Sequence, residues 1–153
     1  MVLCGVMKHP REWPWCGYQE LMGLRRQYRI MDSERLMLLS MAAERGRKLF
    51  EDPVAGCATC HPAPLFTDLK RHAVGTERNP KPPEQRFDSP TLIECWRTAP
   101  YLHDGSAVTL HEVLTSKNAE DRHGKTSHLS PEVVEELVIY IGSISYGPDW
   151  TNR

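Results

Sequence analysis

The sequence predicts an all-α fold in which an early helix and a late helix flank a loop-rich middle. Three observations carry this reading. Two segments repeat apolar residues at helical spacing behind capping residues, no segment shows the apolar–polar alternation of a half-buried strand, and most of the twelve prolines fall between the two helices. At 153 residues the chain is expected to form one domain with an appendage.

The appendage is residues 1–31, a helical extension rich in Trp, Arg and Met with a Pro-broken start, "HPREWPWCGYQ". Its Trp13, Trp15, Tyr18 and arginines suit either docking on a partner or packing as an ordinary extension. The domain proper is residues 32–153. It opens on Asp32-Ser33, a good helix cap, followed by "ERLMLLSMAAERGRKLFED". Leu36, Leu39, Ala43, Leu49 and Phe50 fall on helical spacing, and Pro53 stops the helix near Asp52. Residues 62–129 read as loop with short helices, and "RNPKPPEQRFDSP" as extended or turn-like chain. The last helix starts at Ser130, with Pro131 in the first helical position. Glu132, Glu135 and Glu136 sit near the positive end of its dipole. Val133, Val134, Leu137, Val138, Ile141 and Ile144 make its apolar face, and it should end near Ser145, ahead of Gly147-Pro148.

Composition removes several classes of function. A net charge of −1 lacks the basic excess that general phosphate binding needs, so no nucleic-acid partner is expected. No run of 18 apolar residues occurs, so no transmembrane segment is expected. The start, "MVLCGVMKHPREWPWCG", is too short in its apolar part and too broken by Pro and charge to read as a signal peptide. Of the five cysteines, Cys4 and Cys16 can pair in an oxidising compartment, and Cys95, in "TLIECWRTAP", reads as a buried packing residue.

The other two cysteines form the most informative string in the chain, Cys57-Ala58-Thr59-Cys60-His61 within "GCATCHP". A zinc site would want a second ligand pair at matching spacing, and none exists. A thioredoxin-like dithiol would want a βαβ context, which is missing. Covalent haem c fits the chemistry. Two thiols separated by two residues can both reach the vinyl groups of one porphyrin from a single helical turn, and the adjacent His61 ligates the iron. One such motif implies one haem per chain. Proline after the histidine frees backbone carbonyls, so Pro62 or Pro64 is expected to accept the His61 Nδ1 proton. Leu65 and Phe66 are expected to cover the porphyrin, and Arg71, Arg97 and Tyr101 to hold its propionates.

The strings "GRKLFEDPVAGCATCHPAPLFTDLKRHAVGT" and "FDSPTLIECWRTAPYLHDGSAVTLHEVL" extend this reading, because they resemble the carboxy-terminal haem domain of the bacterial di-haem cytochrome c peroxidase and MauG family. The resemblance covers Glu44 to Tyr146, and the closing "LSPEVVEELVIYIGSI" is similar to that family's last helix. It implies a class I cytochrome c-like fold whose first and last helices cross beside the haem. That crossing is placed at Gly46 and Phe50 against Leu137 and Tyr140.

The resemblance also locates a departure. In the relatives the second axial ligand, Met or Tyr, lies fourteen residues after the histidine of the "PYLHDG" element; here that position is Lys117. Lysine must lose a proton before it can ligate, so its side chain is expected at the surface. No Met occurs after Met41, so a Met ligand would have to come from the amino-terminal zone. His111, on a short helix, is expected to be exposed. His123, on a loop shortly before the last helix, is the first choice for the sixth ligand and His128 the second, with an open position as the remaining possibility. His72 and His103 match family positions in a supporting role.

The expected function is a mono-haem c-type cytochrome passing single electrons to or from a redox partner protein through a six-coordinate haem. The alternative is a haem subunit or fragment of a peroxidase or MauG-like redox enzyme within a larger complex. Peroxidase relatives need two haems, and one motif makes a stand-alone peroxidase the weaker reading. Covalent haem attachment implies a periplasmic or extracytoplasmic location, with an export signal outside this sequence or a longer parent chain.

Overall fold

The computed structural model of the protein describes residues 33–76 and 86–145. The amino-terminal extension, the Cys4–Cys16 pairing, Tyr146 and most of the proline-rich "RNPKPPEQRFDSP" stretch lie outside the described residues. The chain divides into two compact units, Met1–Met41 and Ala42–Arg153. Of the first, the described part is the leading half of helix α1 (Ser33–Glu51), where Met37, Leu38, Leu39 and Met41 are exposed.

Within the second unit, α1 ends where the sequence stops it. Asp52 turns the chain ahead of Pro53, its carboxylate accepting the Val54 N–H at 2.8 Å. Helix α2 is the single turn Cys57–Cys60, entered through Gly56 at φ 76, a left-handed conformation that glycine adopts without steric cost. Helix α3 (Leu110–Leu114) is capped by Thr109, whose hydroxyl accepts the Glu112 N–H at 3.1 Å. Helix α4 spans Pro131–Ser143, with Ser130 as its N-cap and Pro131 in its first turn. It stops two residues before the expected end. Ile144 takes an extended conformation there, and its carbonyl accepts the Glu94 N–H at 2.8 Å.

The all-α expectation holds for these helices and needs one amendment. Strands β1 (Arg71–His72) and β2 (Phe87–Asp88) pair antiparallel, with Arg71 opposite Asp88 and His72 opposite Phe87. A further isolated bridge joins Tyr101 to Ala107. Two-residue strands are too short to leave an alternating pattern in the sequence.

Helices α1 and α4 cross at Gly46. A Cβ on this residue would lie 2.0 Å from the Glu136 carbonyl oxygen and 2.8 Å from the Tyr140 Cβ, so only glycine allows the approach. Beside it the Phe50 ring packs edge-on against Tyr140 at 5.3 Å and against Phe66 at 6.0 Å. Phe50 and Leu137 are the largest fully buried side chains, and Cys95, Leu114, Val134 and Ile141 complete the cluster. Cys95 therefore packs as a core residue, as its sequence context suggested. Arg45 reaches across to Glu136 at the rim of the crossing. The pair is solvated and adds little beside the burial.

Candidate functional site

The single turn of α2 and the residue after it deliver three functional groups to one cavity. Cys57, Cys60 and His61 all line a space of about 690 Å³ whose apolar walls include Phe50, Leu92, Leu110, Leu114 and Ile141. A mostly apolar pocket of this size, with a few convergent polar groups, has the character of a cofactor site.

His61 is buried, 8% exposed, and its orientation is set by the backbone. Its Nδ1–H donates to the Phe66 carbonyl at 3.1 Å, with the Ser89 hydroxyl 3.5 Å away. The acceptor is thus neither Pro62 nor Pro64. Phe66 sits in the left-handed region at φ 51, and this turn brings its carbonyl back to the imidazole. A ring fixed through Nδ1–H keeps its Nε2 lone pair available for a metal.

Across the cavity stands His123. The two imidazoles face one another with ring centroids 6.4 Å apart and planes 38° from parallel. A metal–imidazole bond of about 2 Å on each side, plus roughly 1 Å from each nitrogen to its ring centre, adds to about 6 Å. The spacing fits one metal ion held between the pair. Burial lowers the pKa of His61, and burial with the nearby His61 and His72 pushes His123 down to about 4. Both imidazoles are therefore neutral, the form that ligates metal. His128, His111 and Lys117 are exposed and none lies on the cavity wall.

The thiols do not suit redox exchange. Burial pushes Cys57 up to about 11 and raises Cys60 as well, whereas a reactive dithiol needs a lowered pKa. Nor do the described residues gather three or more His, Cys, Asp or Glu side chains in a metal-holding arrangement. His72 supports the motif from the side. Its Nε2–H donates to Asp68 Oδ2 at 2.9 Å, and its Nδ1 lies 3.6 Å from Cys60 Sγ.

Of the remaining sequence-predicted cofactor contacts, Tyr101 lines the cavity, while Pro64, Phe66 and Arg97 do not. Pro64 and Leu65 are exposed, and the Phe66 ring turns into the core against Phe50. Arg97 follows the buried Cys95 in a one-turn 3-10 segment that leaves it at the surface. There it donates to Glu94 at 3.0 Å and lies over the Trp96 ring. Arg71 is likewise exposed and pairs with Asp88 across the strand ladder at 3.3 Å. The arginines on the cavity wall are Arg86 and Arg122. Sequence reasoning missed both, although Arg122 directly precedes His123. His103 also lines the wall, stacked on Phe87 at 3.6 Å with its Nδ1 3.1 Å from the Thr76 hydroxyl.

Known proteins share parts of this sequence and fold. A family described as RoxA-like, cytochrome c-like matches residues 87–123, which run from the strand ladder to His123. Hydrazine synthase subunit gamma of Kuenenia stuttgartiensis is 32% identical, with the alignment covering 69% of this chain and 42% of that protein. A cytochrome-c peroxidase of Denitromonas iodatirespirans is 26% identical over 70% of this chain and 41% of its own length. The methylamine utilization protein MauG of Methylophilus methylotrophus is 33% identical over 54% of this chain and 28% of its own. A solved structure of the Kuenenia stuttgartiensis hydrazine synthase, pressurized with xenon, superposes with a TM-score of 0.59 at 31% identity. That match covers 67% of this chain and 46% of the other. The chain spans less than half the length of each of these relatives.

Proposed function

We propose, for a chain related to the di-haem cytochrome c peroxidase and MauG family, that it is a mono-haem c-type cytochrome transferring single electrons to or from a partner protein. The observation that carries this is the facing of His61 and His123 across the cavity at 6.4 Å. Cys57 and Cys60 would hold the group covalently, His61 and His123 would ligate its iron, and Tyr101 with Arg86 and Arg122 would face its polar edge. When bound, haem c supplies a one-electron iron couple, and two imidazoles leave no coordination position open to a small molecule. The residues' part is to hold both imidazoles neutral and fixed, so that electron loss or gain needs little rearrangement. The chain lies outside the cytoplasm, where covalent haem attachment takes place, and it hands electrons to a redox protein.

A second reading draws on the relatives. One is named as a subunit of an enzyme and another as a peroxidase, and this chain spans less than half of each. In that reading the domain is a haem-bearing part of a larger redox enzyme, with an iron position open to a small molecule. Adding carbon monoxide to the reduced holoprotein, and peroxide to the oxidised one, separates the two. The optical spectrum is expected to stay six-coordinate and unchanged in both cases. Rapid formation of an adduct would reject the electron carrier with two histidine ligands and favour the enzyme.

A further inference from the structure

The residue after the exposed Lys117 is one of the most deeply set polar groups described. Asn118 is 3% exposed, and its amide is saturated by the loop that carries His123. Its Oδ1 accepts the backbone N–H of His123 at 2.7 Å. The two hydrogens of its Nδ2 serve three acceptors, one hydrogen being shared: the Gly124 carbonyl at 2.8 Å, the Thr126 hydroxyl at 2.9 Å and the His123 carbonyl at 3.2 Å. Thr126, also 3% exposed, passes its own proton to the Leu114 carbonyl at the end of α3, at 2.6 Å. The acceptor bond from His123 N–H fixes which end of the amide is oxygen, so the donor set follows from it.

Three further ties close the loop. Asp121 accepts from the N–H groups of Thr126 and Ser127 at 2.9 and 2.8 Å, and from the Ser127 hydroxyl. The Lys125 N–H donates to the Ala55 carbonyl at 2.9 Å, which seats the loop on the segment just before Cys57. Gly124, at φ 77, passes that segment closely: a Cβ there would stand 3.1 Å from the Ala55 oxygen.

We infer that Asn118 is the positioning residue for the sixth ligand. It clasps the His123 backbone at both its N–H and its carbonyl, and so holds the imidazole opposite His61. This rests on the His61–His123 ligation proposed above. A buried amide with all its bonds made within one loop fixes that loop's conformation, and losing it leaves several buried groups without partners. Lys117 itself is solvated, and its buried neighbour is the anchor for a ligand five residues on.

The test compares Asn118→Ala, Asn118→Asp and, as a control for general loosening, Val134→Ala in the holoprotein. Ferrous carbon monoxide binding and the ferric spin state are read at a temperature well below unfolding. Asn118→Ala is expected to bind carbon monoxide at least tenfold faster than the wild type and to show a high-spin fraction. Asn118→Asp, which keeps the acceptor for the His123 N–H but sets a carboxylate oxygen against the His123 and Gly124 carbonyls, should open the site at least as much. Val134→Ala should lower the melting temperature while staying low-spin. Wild-type behaviour of both Asn118 variants would overturn the inference, as would equal opening by Val134→Ala. Should neither Asn118 variant accumulate as holoprotein, amide hydrogen exchange in the wild type decides. The His123 N–H must exchange as slowly as the core amides of α4, and fast exchange rejects the clasp. A His123→Ala protein that stayed fully low-spin would instead remove the ligation on which the inference rests.

Discussion

His123 and His128 stand five residues apart in one loop, and the structure treats them differently. His123 lies on the cavity wall with a buried environment that holds it neutral, whereas His128 is exposed beside the start of α4. The difference is made by the backbone between them. Gly124 turns at φ 77, and Asp121 gathers the Thr126 and Ser127 amides, so the chain leaves the cavity before it reaches His128. Replacing His128 by Ala should therefore leave the visible spectrum unchanged and shift the unfolding free energy by less than about 0.5 kcal/mol, as surface substitutions do. A denaturant titration with the spectrum of the refolded holoprotein checks both. The same residue-level logic governs the arginines. Arg97 was expected at the cofactor because a guanidinium pairs well with propionate carboxylates, yet Glu94 and Trp96 engage it at the surface.

At the scale of elements, the crossing of α1 and α4 determines where the cavity lies, and it depends on one hydrogen atom. An alanine at Gly46 would force its methyl into the Glu136 carbonyl, which belongs to rigid helix backbone. Gly46→Ala is expected to cost about 3 kcal/mol, at the upper end of overpacking penalties. Gly142 in α4 offers the contrasting case, since nothing lies within 4 Å of a Cβ built there. Gly142→Ala should stabilise by roughly 0.5 kcal/mol through helix propensity. Thermal unfolding of the two single variants measures both signs. Much of this element-level structure was legible in the sequence. Caps, prolines and apolar spacing marked α1 and α4 within two residues, while the crossing at Gly46 and Phe50 was placed through the family resemblance. The cavity walls were not legible in the same way. Arg86 and Arg122 come from loops with no period, and the acceptor for His61 is a backbone carbonyl, which carries no side-chain signature. The two-residue strands and the left-handed Phe66 likewise come from tertiary contacts rather than local propensity.

At the largest scale, the unit Ala42–Arg153 builds its core and its cavity from shared side chains. Of the buried cluster Phe50, Cys95, Leu114, Val134, Leu137 and Ile141, Phe50, Cys95, Leu114 and Ile141 also form part of the cavity wall. Cys57, Cys60, His61 and His123 converge on that one space. Among the described residues no helix is long and apolar enough to cross a membrane. The chain matches less than half the length of its relatives, so its central claim concerns the domain: one haem c held between His61 and His123. Near-infrared magnetic circular dichroism of the ferric holoprotein tests that claim most directly, because the energy of the porphyrin-to-iron band reports the axial pair. A single low-spin band at the energy of two neutral imidazoles is expected. A band in the histidine–methionine or histidine–amine position, or a high-spin spectrum with an open coordination site, would contradict it.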